Sequence, residues 1–528
     1  MNIDSSRNTI SQQIPISRPQ QKAPQKDLTS IPFYGDTVLF GAMDLTTEGK
    51  VPLILSGLSE SDRANVEKSL KELKGKVTSE LPLVDGFTVE VNAKKVKQFL
   101  KNLPQEANVR VDNKLRLPDP QALMPPPETK GPPVEEKNVY AETLGLDKVW
   151  AQGFTGKGVG VCVIDSGIYP HEDLDGRIAG WKDISTEGKS DSYDPFGHGT
   201  HVAGIIGGSG KASAGKITGV APDAQLIGVR ITSVSEAIKA LQWAIDNKAK
   251  YGIKVINMSL GDYAVKSYKD DPWAQAAEKA IDAGIVVVAA AGNEGPGAKT
   301  ISTPGTDPRV LTVGAFDDKK TPQVEDDIIA DFSSRGPTTV DNLSKPDVLA
   351  PGVNIFSTLS PGATLDMQDM PHISDKYLAI SGTSMATPIV SGIVALLLSA
   401  NPNLTHDQIK EIITKTADKM PDLDGNTQGA GRVDPNEAIS MALAMAKGAP
   451  GPEPKPQTSP APEQPKAAVM AVNTAPASAG KALNEMEAAP EVSEAPARSQ
   501  EKGPKAKKHA GSPVFIPDPL HQDEWFIH

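Results

Sequence analysis

Two hydrophobic rhythms divide the chain before any single residue is considered. Between residues 35 and 117 short runs of both rhythms alternate. Val51–Leu58 is strand-like, Asp62–Gly75 places Val66, Leu70 and Leu73 on one helical face, and Lys76–Leu81 adds a strand. Phe87, Val89 and Val91 alternate as a third strand. Ala93–Leu103 repeats the helical spacing through Val96, Phe99, Leu100 and Leu103, and Val109–Leu117 closes the unit with a strand. The order βαββαβ predicts a small α+β domain of the ferredoxin-like split type. From 138 to 447 the pattern changes. Near-continuous apolar runs (Val159–Ile164, Leu226–Ile231, Val255–Leu260, Val286–Ala291, Val310–Val313) alternate with helical stretches (Thr200–Ile206, Ser235–Lys250, Trp273–Ala283, Pro388–Ser399). Strands apolar on both faces and separated by helices predict an α/β fold, a parallel sheet with helices on both faces.

Composition fills in the remainder. Residues 1–34 are polar and read as a disordered N-terminal segment. Residues 118–137 hold seven prolines within Pro118–Pro133, a linker that cannot continue a helix. Residues 448–528 carry 14 prolines among Ala, Glu, Lys and Ser, the signature of a disordered tail. Only its end, Val514–Ile516 and Trp525–Ile527, is apolar enough for a short docking motif.

The formal charge of −12 argues against nucleic acid as a partner. Nothing approaches 18 uninterrupted apolar residues, so no membrane span is expected. The first 30 residues lack the apolar run of a secretory signal, and one cysteine, Cys162, cannot pair internally. These features fit synthesis in a reducing cytoplasm and leave export by another route open.

Four islands in the 138–447 segment carry chemistry. Val161–Gly167 puts Asp165 at the carboxyl end of a buried strand, the edge where open α/β sheets bind ligands. His198–Gly204 opens a helix with a histidine among small residues. Gly382–Pro388 sets Ser384 just before an apolar helix, where backbone N–H groups stabilise negative charge. Ala289–Gly295 places Asn293 at the end of another strand, able to donate to an oxyanion together with the Ser384 N–H. Singly, each has a plain structural reading as a cap or a turn. Together they supply what a serine nucleophile needs: an imidazole to take its proton, and a carboxylate to fix the imidazole's tautomer.

With these residues the segment resembles the subtilisin-like serine peptidases (subtilases). The matching stretches are VIDSG around Asp165, HGTHVAG from His198, AAAGNEGP around Asn293 and GTSMATP around Ser384, supported by GVAP, INMSLG, FSSRGP and KPDVLAPG. The resemblance implies that Asp165 orients the base, His198 is general base and acid, Ser384 is the nucleophile, and Asn293 with the Ser384 N–H binds the oxyanion. It implies a specificity pocket walled by Ser259, Leu260 and Gly261 and by Ala290, Ala291 and Gly292, with room for a large apolar side chain. It further implies polypeptide substrates and a pro-region over 35–117 that assists folding, blocks the site and is removed by self-processing. The chemistry requires no cofactor.

Three departures qualify these expectations. Only nine residues, Thr232–Ala240, separate Ile231 from Leu241, so the strand edge that pairs with extended substrate is short and its β-augmentation is expected to be weak. A structural calcium is possible but not expected: Asp173 matches one ligand, yet the loop Ser209–Lys216 brings two lysines and no carboxylate. Ile389 stands where many relatives have histidine and is assigned to packing, as Cys162 is assigned to an inert core thiol. The rival readings are a metal site of His198, His201 and Asp165, disfavoured because the histidines lie three rather than four apart, and a catalytically weak scaffold acting as a binding protein.

Overall fold

The computed structural model describes residues 49–115, 138–367 and 372–448. The expectations for 1–34, for the proline-rich 118–137 and for the tail beyond 448 lie outside the described residues.

The N-terminal unit runs β1 (Lys50–Ser56), α1 (Glu60–Glu72), β2 (Lys76–Leu81), β3 (Gly86–Asn92), α2 (Val96–Lys101), β4 (Asn108–Val111). Its sheet has the order β2-β3-β1-β4 with every neighbour antiparallel. Helix α1 starts two residues before the predicted Asp62, because Ser59 caps it by accepting the Asp62 N–H. It stops at Glu72, ahead of Lys74 in the left-handed region. Val51, Leu53 and Leu55 of β1 meet Val66, Leu70, Val96 and Phe99 in a small core of their own. The next residue types along β1 face outward from it: Ile54, with Leu81 and Val84, is buried against the larger domain. Burial of side chains this size contributes about 1.5–3 kcal/mol each.

The larger domain is built on β5 (Gly160–Asp165), β6 (Ile178–Asp183), β7 (Gln225–Arg230), β8 (Ile253–Met258), β9 (Val286–Ala290), β10 (Leu311–Asp317), β11 (Ile328–Ile329) and β12 (Val348–Pro351). The order is β11-β10-β9-β8-β5-β7-β6, with β12 also on β10, and all pairs are parallel except β10–β11. The chain fills one side of β5 with β6 and β7, then crosses to β8 on the other. The carboxyl end of β5 therefore lies at the topological switch point, where such sheets open a crevice.

Strand alternation sorts the helices. Val161, Val163, Val255, Val288 and Val313 point to the face covered by α3 (His198–Gly207) and α6 (Thr383–Ala400). Cys162, Ile164, Ile227, Ile256 and Val287 point to the face covered by α4 (Val234–Asp246) and α5 (Pro272–Asp282). The N-terminal unit docks on α4 and α5, adding Ile54, Leu81 and Val84 to this second cluster. Cys162 is buried there, and burial pushes its thiol far up, as expected of an inert core residue. Ile389 is fully buried in the first cluster. Among the described residues only α6 is long and apolar enough to cross a membrane, and it is buried inside the fold.

Candidate active site

Asp165 closes β5 on the same face as Val161 and Val163, so its carboxylate is aimed at α3 and α6 rather than at the opposite helices. Helix α3 starts at His198. Its first turn is capped by a residue the sequence reading passed over. Asp194 Oδ2 accepts from the Thr200 N–H (2.8 Å) and hydroxyl (2.7 Å), and Oδ1 accepts from the Gly197 N–H (2.8 Å) and the Ser166 hydroxyl (2.9 Å). The same carboxylate thus fastens the helix carrying His198 to the residue next to Asp165. Close approach here requires glycine: a Cβ on Gly199 would stand 2.1 Å from the Gly167 carbonyl oxygen. An Asp two residues before a Phe-Gly turn is the signal that marked this cap.

The two functional groups meet directly. His198 Nδ1 lies 2.8 Å from Asp165 Oδ1, which also accepts the Ser166 N–H at 2.7 Å, and both side chains are fully buried. Burial alone would lower the His198 pKa. The charge and hydrogen bond of Asp165, with a smaller contribution from Asp194, outweigh it and hold the imidazole above its ordinary value. His198 Nε2 and Asp165 Oδ2 are buried with no partner within the molecule. An uncompensated buried imidazole nitrogen marks a position that another hydrogen-bonding group is built to meet.

Ser384 is the second residue of α6. The sequence pattern placed the start of this helix at Pro388, since proline favours a first turn. The helix begins five residues earlier, at Thr383, and Pro388 lies inside it. Proline has no N–H for the carbonyl four residues back, which is that of Ser384. Ser259 replaces the missing donor, its hydroxyl bonding the Ser384 carbonyl at 2.8 Å. In return the Ser384 hydroxyl donates to the Ser259 carbonyl at 2.8 Å. The Ser384 hydroxyl therefore rests on β8's end rather than on His198. Asn257, which donates to Ser259 Oγ and accepts from Ser391, ties the same region to α6.

Asn293 is half-buried and its side-chain oxygen accepts from the Thr383 N–H and hydroxyl, both at 2.9 Å. With the oxygen so engaged, the NH2 group faces the other way. The Ser384 N–H is one of the helix-start donors without an intrahelical partner. Thr383 escaped the sequence reading because a threonine in Gly-Thr-Ser reads as an ordinary cap.

Of the expected pocket walls, Ser259, Leu260, Ala290 and Ala291 are buried, and Gly261 and Gly292 are partly exposed. Gly292 is left-handed (φ +108°), and a Cβ there would meet Ser302 Oγ at 2.4 Å. A Cβ on Gly261 would meet Ser302 Cβ at 2.8 Å. Ser302, absent from the sequence reading, thus stands between the two walls.

The shortened edge still pairs. Residues 113–115, which follow β4, run antiparallel to residues 232–234: the Leu115 N–H donates to the Thr232 carbonyl (2.8 Å), the Val234 N–H donates to the Asn113 carbonyl (3.1 Å), and Lys114 bridges Ser233. The predicted strand Val109–Leu117 is thereby divided. Its described part leaves its own sheet after Val111 and pairs with residues 232–234 of the larger domain. The Asp112 carboxylate accepts the Ser235 N–H (2.8 Å) and hydroxyl (2.7 Å) in the first turn of α4.

Asp173 fits a calcium ion poorly. Its Oδ1 accepts the Ala212 N–H at 2.8 Å and its Oδ2 accepts the Tyr377 hydroxyl at 2.7 Å. The neighbouring loop offers no second carboxylate. Nor do the histidines suit a metal. His201 Nε2 donates to the Ile355 and Leu378 carbonyls, and burial takes its pKa down to about 3. Among the described residues no group of three His, Cys, Asp or Glu is placed to hold an ion.

A family model described as the subtilase family matches residues 156–431, from before Asp165 to beyond Ser384. The chain belongs to the subtilase family. It is 46 % identical over 300 residues to serine protease AprX of Bacillus subtilis, covering 54 % of this chain and 67 % of that protein. It is 34 % identical over 381 residues to subtilisin E of Bacillus subtilis, covering 69 % of this chain and 82 % of that protein. Among solved structures it resembles fervidolysin of Fervidobacterium pennivorans, a keratinolytic enzyme related to subtilisin. The TM-score is 0.56 at 25 % identity, covering 74 % of this chain and 61 % of that one. The subtilase described here is a serine-type endopeptidase acting on polypeptides.

Proposed function

We propose that Asp165, His198 and Ser384 are the catalytic triad and that hydrolysis proceeds through an acyl-enzyme on Ser384. The observation that carries this reading is the fully buried Asp165–His198 pair, whose Nε2 is left without a partner on the face where α6 begins. In this reading the Ser384 hydroxyl exchanges the Ser259 carbonyl for that nitrogen when substrate binds. As Oγ attacks the peptide carbonyl, its proton passes to His198 Nε2, and Asp165 stabilises the resulting cation. The oxyanion is met by the Asn293 NH2 group, held in orientation by Thr383, and by the Ser384 N–H. Collapse expels the amine, which takes the proton from His198. A water then repeats the sequence on the ester and frees Ser384.

The N-terminal unit acts as an intramolecular inhibitor that the enzyme removes itself. Residues 113–115 already pair with residues 232–234, the edge that extended substrate would use. Self-processing is tested by the intact mass of purified Ser384→Ala protein. The variant retains the N-terminal unit while the wild-type chain loses it. Normal removal from the variant would show that another enzyme does the processing.

A further inference from the structure

The docked unit also touches the peptidase domain through charge. Arg110, third residue of β4, is buried, and its guanidinium donates to Asp262 Oδ2 at 2.8 Å and to Asp271. Asn113 Nδ2 donates to the same Asp262 oxygen at 2.9 Å. Asp262 directly follows the pocket wall Ser259–Gly261. Its backbone is pinned there by N–H···O bonds exchanged both ways with Thr303 (3.1 and 2.9 Å). Its Oδ1 accepts the Tyr263 N–H, whereas both partners of Oδ2 named here come from the segment that leaves when the enzyme matures.

The extended residues give these contacts a reading direction. Leu115 packs against the apolar cluster of α4 and α5. Asn113 lies two residues earlier, hence on the same side of an extended chain. A substrate that replaces this segment on the Thr232–Val234 edge sets one side chain against the apolar cluster and another beside Asp262. With Arg110 gone, a long cationic side chain in place of Asn113 has both the room and the opposite charge to take over the carboxylate.

We propose that Asp262, supported by Asp271, forms an acidic subsite in the mature enzyme. This subsite selects an arginine or lysine two residues N-terminal to the apolar side chain that replaces Leu115. The proposal rests on the peptidase reading above and adds to it a charge preference remote from the reacting bond. A guanidinium satisfies such a site with a charge-assisted hydrogen bond that a neutral side chain lacks.

The test uses the mature enzyme and internally quenched decapeptides sharing one leucine, with arginine, citrulline or glutamate two residues before it. Citrulline keeps the shape of arginine without its charge, so the first comparison needs no change to the protein. The expected kcat/KM is about 10-fold higher for arginine than for citrulline, the weight of one charged hydrogen bond. Asp262→Asn should flatten the difference, and Asp262→Lys should turn it toward glutamate. Equal rates on arginine and citrulline peptides, or a preference that persists in Asp262→Asn, overturn the subsite alone. Failure to cleave any peptide overturns the peptidase reading and the subsite with it.

Discussion

His198 has two ring nitrogens with different surroundings, and the difference sets its pH behaviour. Nδ1 is bound to Asp165, and Nε2, buried without a partner, is the nitrogen proposed to meet Ser384. Only the neutral ring accepts the Ser384 proton. Because Asp165 raises the pKa, the acid limb of kcat/KM should lie above the ~6.5 of a free imidazole. In Asp165→Asn the raising charge is gone, so the limb should move to lower pH. Turnover should fall by about 10⁴, the loss known for the equivalent change in a serine peptidase of another fold. A limb that stays in place would remove Asp165 from the account. Thr383 acts one step back, through Asn293. Loss of the oxyanion asparagine costs about 10²–10³ in turnover in subtilisin itself. Thr383→Val, which leaves that amide less firmly held, should lower kcat by about 10-fold while KM changes little. The four residues proposed to react stand out in the sequence because the proposed chemistry fixes their types. Thr383, Asp194 and Ser302 do not, because their work depends on what the fold brings beside them.

Helix α6 shows why element boundaries are harder to read than elements. Its apolar run was visible, but a proline inside it looked like a beginning, and the donor that makes the interior proline tolerable comes from Ser259, 125 residues earlier in the chain. This compensation is measurable. In the uncleaved Ser384→Ala protein, Ser259→Ala should lower stability by about 1–3 kcal/mol in urea unfolding, through a buried carbonyl left without its donor. Pro388→Ala restores the backbone N–H, and in that background the same Ser259 change should be clearly less damaging. Strictly additive effects would contradict the exchange. The buried Lys345 holds another pair of elements together. Its ammonium bonds the Val310 carbonyl, the Thr312 hydroxyl and Asp347, and Lys410 reaches the same carboxylate. Lys345→Met removes the buried one of the two cations on Asp347, and thermal unfolding should show a loss of about 3 kcal/mol.

At the scale of the molecule, the parallel sheet was legible because strands apolar on both faces have few other uses. The docking of the N-terminal unit was not, since Ile54, Leu81 and Val84 look like members of that unit's own core until the surface of α4 and α5 is present. The short edge suggested weak pairing with extended chains, yet residues 113–115 pair with what remains of it. Both Asp173 carboxylate oxygens already accept hydrogen bonds, from the Ala212 N–H and the Tyr377 hydroxyl. We accordingly expect a chelator to leave both the melting temperature and the activity of the mature enzyme unchanged, and a marked fall in either would mean that a bound cation supports the fold. The central claim is that folding activates one particular alcohol. It is tested most directly by treating the mature enzyme with a fluorophosphonate and locating the adduct by peptide mass spectrometry. The account predicts a single modified residue, Ser384, with labelling lost in His198→Ala. An active enzyme that carries no adduct at Ser384, or one labelled at the same rate without His198, would contradict it.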